Sequence, residues 1–295
     1  MKKNVLTVVA AVLVLAGCSK NDKIVSNDNW HGEIRLSNEV SVHATKAATP
    51  DTQIAKDQCI GVYVEGNAQT TYLYENIQMV ADGNGGLLLS NANDKMFYPQ
   101  TGDSVNISAY HPYCYENQNF IVKADQSKDA DYYASDLLYS KSCLFACSKD
   151  AHTLTFVHVL SNVSYTLTAG NGLTQQDLEG AKVYVVNAEI ATFFQRVTGI
   201  LVPPILGSVK SDVLINAAHG AVVIPQNYND GSNFLKVCLA KGGELYYKAH
   251  GGSGNLPPQV KKTYNITVNL TGLTVQSAIT DWTTGGTVDG TAEIF

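Results

Sequence analysis

The chain has 295 residues, a formal net charge of −6 and only 16% charged side chains. No basic stretch follows the first residues, so the electrostatic footprint of a nucleic-acid binder is missing. Glycine, threonine, asparagine, serine, valine and tyrosine are plentiful, a composition that favours strands and turns over helices.

Lys2 and Lys3 precede an apolar run from Val5 to Ala16 that ends in Leu15-Ala16-Gly17-Cys18. A charged start, a dozen apolar residues and a small-residue cut site make a secretory signal. The run falls short of the about 20 residues a membrane-spanning helix needs. Cysteine directly after Leu-Ala-Gly resembles the bacterial lipobox, in which that cysteine is acylated and becomes the mature N-terminus. The expectation is a signal peptide over 1–17, a lipid anchor on Cys18 and a polar tether over 18–31. Loss of Lys2 and Lys3 moves the charge from −6 to −8.

From Ile34 to Thr45 the even positions read Ile, Leu, Asn, Val, Val, Ala and the odd ones Arg, Ser, Glu, Ser, His, Thr. That alternation predicts a half-buried strand of up to twelve residues, interrupted at Asn38. Burial of Ile34, Leu36, Val40 and Val42 would contribute about 1.5–3 kcal/mol each. The sum rivals the ~5–15 kcal/mol net stability of a domain. Lys46 follows among small residues, with Pro50 marking an extended linker.

Further strands are predicted at 59–66, 104–113, 153–169, 181–190, 220–226, 234–242, 243–250 and 263–275. Turn clusters such as "DGNGG" (82–86), "NYNDGSN" (227–233) and "HGGSGNLPP" (250–258) separate several of them. Helix is confined to "LTQQDLEG" (173–180), with Thr174 placed to cap and Asp177 three residues on, and to a turn or two in "DADYYASDLLYS". Short strands at regular spacing without a βαβ rhythm predict antiparallel sandwiches. The boundary is placed near 148–152. The first domain then spans 32–150, with strand 34–45 included, and the second 151–295.

Phosphate loops, HExxH and GxSxG are absent from the sequence. Cys143 and Cys147 are four residues apart, which in a strand separates the thiols by roughly 13 Å. CxxxC is not a standard zinc knuckle either. No metal, cofactor or catalytic residue is therefore assigned, and His111 and His158 are read as structural. The chain is not expected to be an enzyme.

"FYP" (97–99), "VNISAYHPY" (105–113), "DLLYS" (136–140), "LTFVHVLSNVSYTL" (154–167), "VVIPQ" (222–226), "YNITVNL" (264–270) and "ITDW" (279–282) occur in an order that resembles the fimbrillin family. These are the type V pilus subunits of Gram-negative anaerobes. The resemblance covers nearly the whole mature chain. It implies two transthyretin-like β-sandwich domains, export as a lipoprotein through the periplasm, and a place at the outer membrane or cell surface in a fimbrium. It also implies that a trypsin-like protease removes the N-terminal strand, which a C-terminal strand of another subunit then replaces. Carried onto this chain, the cut falls at Lys46, with Arg35 as the rival. The vacated groove is that of Ile34, Leu36, Val40 and Val42. The donor candidate is 287–295, where Val288, Ala292 and Ile294 share one face. The partners would be other pilus subunits, the protease and the membrane, with no nucleic acid. A monomeric surface lipoprotein that binds glycan or host protein is the alternative.

Overall fold

The computed structural model describes residues 30–41, 53–66, 72–101, 103–114, 119–204 and 207–280. Strands dominate. In chain order they are β1 (Leu36–Val40), β2 (Cys59–Gly66), β3 (Tyr72–Ala81), β4 (Leu87–Leu89), β5 (Val105–His111) and β6 (Phe120–Ile121), then helix α1 (Asp129–Ser135). There follow β7 (Leu138–Phe145), β8 (His152–His158), β9 (Ser161–Ala169), β10 (Lys182–Glu189), β11 (Ala191–Gln195) and β12 (Ile200–Val202). The last group is β13 (Lys210–Leu214), β14 (Ala221–Val223), β15 (Gln226–Asn227), β16 (Asn233–Cys238), β17 (Glu244–Lys248), β18 (Asn255–Leu256), β19 (Lys261–Asn269) and β20 (Gly272–Thr280). A 3-10 turn covers Gln175–Leu178, where the Asp177 carboxylate accepts from the Thr174 backbone N–H at 2.9 Å and hydroxyl at 2.7 Å.

Seven strands form the first sheet, in the order β1-β8-β7-β5-β2-β3-β4. The two end strands meet again, because Ser37 bridges to Gly86, the residue before β4. The sheet therefore wraps round on itself, with Ile60, Val62, Val64, Ile107, Leu154 and Phe156 buried. In the other half, β13-β10-β16-β17 and β14-β9-β19-β20 form two four-stranded sheets. Val183, Val185, Phe234 and Val237 of one pack with Val163, Tyr264, Ile266 and Val275 of the other in a shared core. This is an all-β, sandwich-type architecture, and from Gly32 onward it forms one compact unit.

Most pairings are antiparallel, but β1–β8 and β9–β19 are parallel. Parallel neighbours cannot be joined by a tight turn. Long stretches of chain accordingly separate both pairs. The expected strand 153–169 is two strands: β8 stays in the first sheet and β9 enters the second, with Val159 and Leu160 between them. The turn at 148–152 thus leads into a strand of the first sheet.

A small sheet, β12-β11-β6, lies where the two groups of strands meet. Phe194 of β11 is buried with Tyr63, Tyr110 and Tyr139 of the first sheet. The Arg196 guanidinium sits 5.4 Å from the Tyr110 ring centroid, and Tyr139 Oη donates to Val197 O at 2.5 Å. At Gly199 (φ +72°) a Cβ would overlap the Tyr139 ring. The hairpin thus covers the second face of β2 and β5, which explains why those strands are buried on both sides.

Candidate functional site

β1 runs parallel to β8 with Leu36 opposite His152 and Val40 opposite Phe156. The ladder extends past both ends: His152 N–H donates to Arg35 O at 2.9 Å and Ser41 N–H to Phe156 O at 2.8 Å. Side chains reinforce it on the outer face, where the Ser37 and Thr153 hydroxyls lie 3.0 Å apart and Thr155 Oγ1 donates to Glu39 at 2.7 Å. Ile34, Leu36 and Val40 are all buried on the inner face.

The opposite edge of the segment is occupied as well. Asn38 N–H donates to Gly85 O at 2.7 Å, Ile34 N–H to Met96 O at 2.8 Å, and Tyr98 N–H to Gly32 O at 2.9 Å. Asn38, the apparent interruption of the alternation, is buried on the same face as Leu36 and Val40. Its side-chain amide donates to Gly85 O at 3.2 Å and its carbonyl accepts from Ile54 N–H at 2.9 Å. It fastens the strand to two loops, a role invisible in the pattern except as a polar residue where an apolar one was due. A buried polar group needs such partners, because leaving it unpaired costs about 1–3 kcal/mol.

Arg35 lies beside this ladder, with Nη1 donating to Lys149 O at 3.3 Å. Val42, Lys46, Cys18 and the candidate donor residues Val288, Ala292 and Ile294 lie outside the described residues.

The other residues weighed for chemistry are placed structurally. His158 Nδ1 lies 2.9 Å from Asp136 Oδ1. His111 Nδ1 lies 3.0 Å from Asp136 O, and its Nε2 lies 3.3 Å from Gln58 Oε1. These contacts tie the start of β7 to the ends of β5 and β8. His111 is fully buried, and burial lowers its pKa from the ordinary 6.5, with Asp136 opposing. Among the described residues no disulfide joins Cys59, Cys114, Cys143, Cys147 or Cys238. No His, Cys, Asp or Glu cluster among the described residues is arranged to hold a metal. No helix among them is long and apolar enough to cross a membrane.

The sequence profile of the Fimbrillin-like family matches residues 45–282. The chain belongs to that family. This fimbrillin-like chain is also 24% identical over 311 residues to a Bacteroides uniformis protein that carries the name fimbrium subunit Fim1C, covering 99% of this chain and 100% of that one. Among solved structures it resembles one from Bacteroides uniformis described as a cell adhesion protein. That match has a TM-score of 0.65 and 20% identity, and covers 85% of this chain and 100% of the other. A Bacteroides ovatus structure of the same description matches with a TM-score of 0.65 and 20% identity, covering 86% and 98%. At such identity these neighbours report the fold.

Proposed function

We propose that this fimbrillin-like chain is a pilus subunit, exported as a lipoprotein on Cys18 and activated for assembly by proteolysis after Lys46. The supporting observation is that the segment around β1 is hydrogen-bonded along both edges and buries Ile34, Leu36 and Val40. Its loss would remove roughly 4–9 kcal/mol of apolar burial. It would also leave two backbone edges and an apolar groove in need of a strand. Strand addition satisfies both requirements at once. The C-terminal segment 287–295 of a neighbouring subunit, with Val288, Ala292 and Ile294 on one face, is the donor in this reading. Arg35 is the poorer cut site, because its carbonyl is already held by His152 N–H. The chain then works as two halves, the first ending with β8 at His158 and the second beginning with β9 at Ser161.

The test is trypsin treatment of the folded protein, N-terminal sequencing of the product, and electron microscopy. The expected result is a new N-terminus at Ala47, filaments from the cut protein, and none from uncut Lys46→Gln. Cleavage elsewhere, filaments formed equally well by Lys46→Gln, or monomers that persist after cutting would falsify the proposal.

A further inference from the structure

On its outer face β8 offers two hydroxyls to β1. Thr153 and Thr155 are exposed and alternate along β8 with Leu154 and Phe156, which are buried. In the parallel ladder Thr153 stands opposite Ser37 and Thr155 opposite Glu39. Both pairs are also bonded through their side chains. The Ser37 and Thr153 hydroxyls lie 3.0 Å apart, and Thr155 Oγ1 donates to Glu39 Oε1 at 2.7 Å. The second pair therefore calls for an acceptor on the neighbouring strand, here a carboxylate.

These side-chain rungs distinguish registers that the rest of the contact does not. The backbone bonds of a parallel pair are evenly spaced and blind to sequence. Alternation of buried and exposed residues forbids a slip by one, which would turn every side chain to the wrong face. A slip by two keeps the faces. It would set Glu39 opposite Val157 in one direction, or Ser37 opposite Ala151 in the other, and either way one side-chain bond is lost. Asn38 also marks the native register, through Gly85 and Ile54, but it belongs to β1 and would leave with it. Thr153 and Thr155 stay on β8.

We propose that Thr153 and Thr155 select and register the strand that occupies the place of β1. They admit an extended segment, parallel to β8, with a hydroxyl and a carboxylate two residues apart. This selection rests on the reading of β1 as a strand that another subunit replaces. In β1 the pattern is Ser37-Asn38-Glu39-Val40, and the sequence repeats it at Thr291-Ala292-Glu293-Ile294. No other glutamate in the sequence has a serine or threonine two positions before it. The partner that fits is that segment of a second copy.

The first measurement is made on the intact, uncut chain, where no replacement is needed. Thr153→Val with Thr155→Val keeps the shape of both side chains and removes the hydroxyls. Amide exchange over Leu36–Val40 should quicken about fivefold or more, with β19 and β20 unchanged. Adding Ser37→Ala and Glu39→Gln should quicken it little further, because each pair has already lost one partner. An unchanged rate, or a second increase as large as the first, would overturn the proposal. The second measurement uses trypsin-cut protein and labelled peptides. Peptides with the sequences of residues 34–45 and 287–295 should bind roughly tenfold tighter than forms whose hydroxyl and glutamate are both replaced by valine. The Thr153→Val, Thr155→Val protein should not distinguish them. Equal binding to the native protein, or a preference that persists on the valine variant, would also overturn it. If no peptide binds while the intact chain responds as expected, strand replacement fails and the pairing role of the two threonines stands.

Discussion

Two parallel ladders complete the two halves of the molecule, and they do so differently. β1 meets β8 over five residue pairs and closes the first sheet from its margin. β19 meets β9 over eight pairs on one side and β20 over nine on the other, in the middle of its sheet. Taking β1 away leaves the other six strands of the first sheet in continuous order. Taking β19 away would separate β9 from β20. A strand at the margin of a sheet can be lost with the rest of the ladder in order, whereas one that joins its neighbours cannot. The same topological device, a parallel pairing across a long stretch of chain, thus closes a sheet at its margin in one half and holds a sheet together at its centre in the other.

The sharpest way to break this comparison is to damage each half in turn. Phe234→Ala in the second core should cost about 3–5 kcal/mol, as large aromatic deletions do. It should lower the cooperative unfolding midpoint of the whole chain in urea. If exchange rose only around the mutated site, the second core would not support the fold of the whole chain. Asn38→Ala should cost less, about 1–3 kcal/mol, because it strands Ile54 N–H and removes one bond to Gly85. Its signature is local: faster hydrogen exchange in β1 and the 85–86 turn, with β19 and β20 unchanged.

The smallest effects are pH dependences, one in each half, and the acid limb belongs to the first. His111 is faced by Asp136, His158 and Gln58. Burial depresses its folded pKa, so the unfolded chain binds the proton first as pH falls through about 6.5. Stability present above that value is lost on acidification, with a slope of at most ~1.4 kcal/mol per pH unit. His111→Gln should flatten the fall in melting temperature between pH 7 and 5. In the second half burial instead lowers the pKa of Lys262. Its ammonium donates to the carbonyls of Gly252, Ser253 and Asn255 at 3.0–3.2 Å. For this base the unfolded chain keeps the proton longer, so its contribution rises towards alkaline pH. Lys262→Met should remove that alkaline rise without altering the acid limb.

The sequence revealed those parts of the fold whose period is local. β2, β10 and β16 follow from alternation or apolar runs, and the 3-10 turn follows from the Thr174–Asp177 spacing. β3 was missed because Asn76 adopts a left-handed conformation (φ +51°) and pairing with β2 shifts register near Val62 and Val64. The stretch 153–169 reads as one strand because its apolar pattern runs through Val159 and Leu160, where the chain changes sheets. Likewise 263–275 hides the turn at Leu270–Thr271 between β19 and β20. The β11–β12 hairpin was missed because it packs against β2 and β5, and no residue near 191–202 announces that partner. At the candidate site the apolar positions were readable. The second edge was not, since Gly85 lies 47 residues beyond Asn38 and Met96 lies 62 beyond Ile34, and neither carries a signal that it meets the segment around β1.

The junction between the halves also has a mechanical consequence. Only Val159 and Leu160 separate β8 from β9, and both are buried. Leu137 O accepts from Val159 N–H, and Leu160 O from Gln259 N–H, each at 2.9 Å. Tension that enters ahead of β1 and leaves through β8 pulls two parallel strands in opposite directions. The same tension then enters β9 and leaves through the far end of β19, again across a parallel pair. Both ladders are loaded in shear, with their rungs strained together rather than opened one at a time, so the fold resists stretching along its own chain better than it resists peeling from an edge.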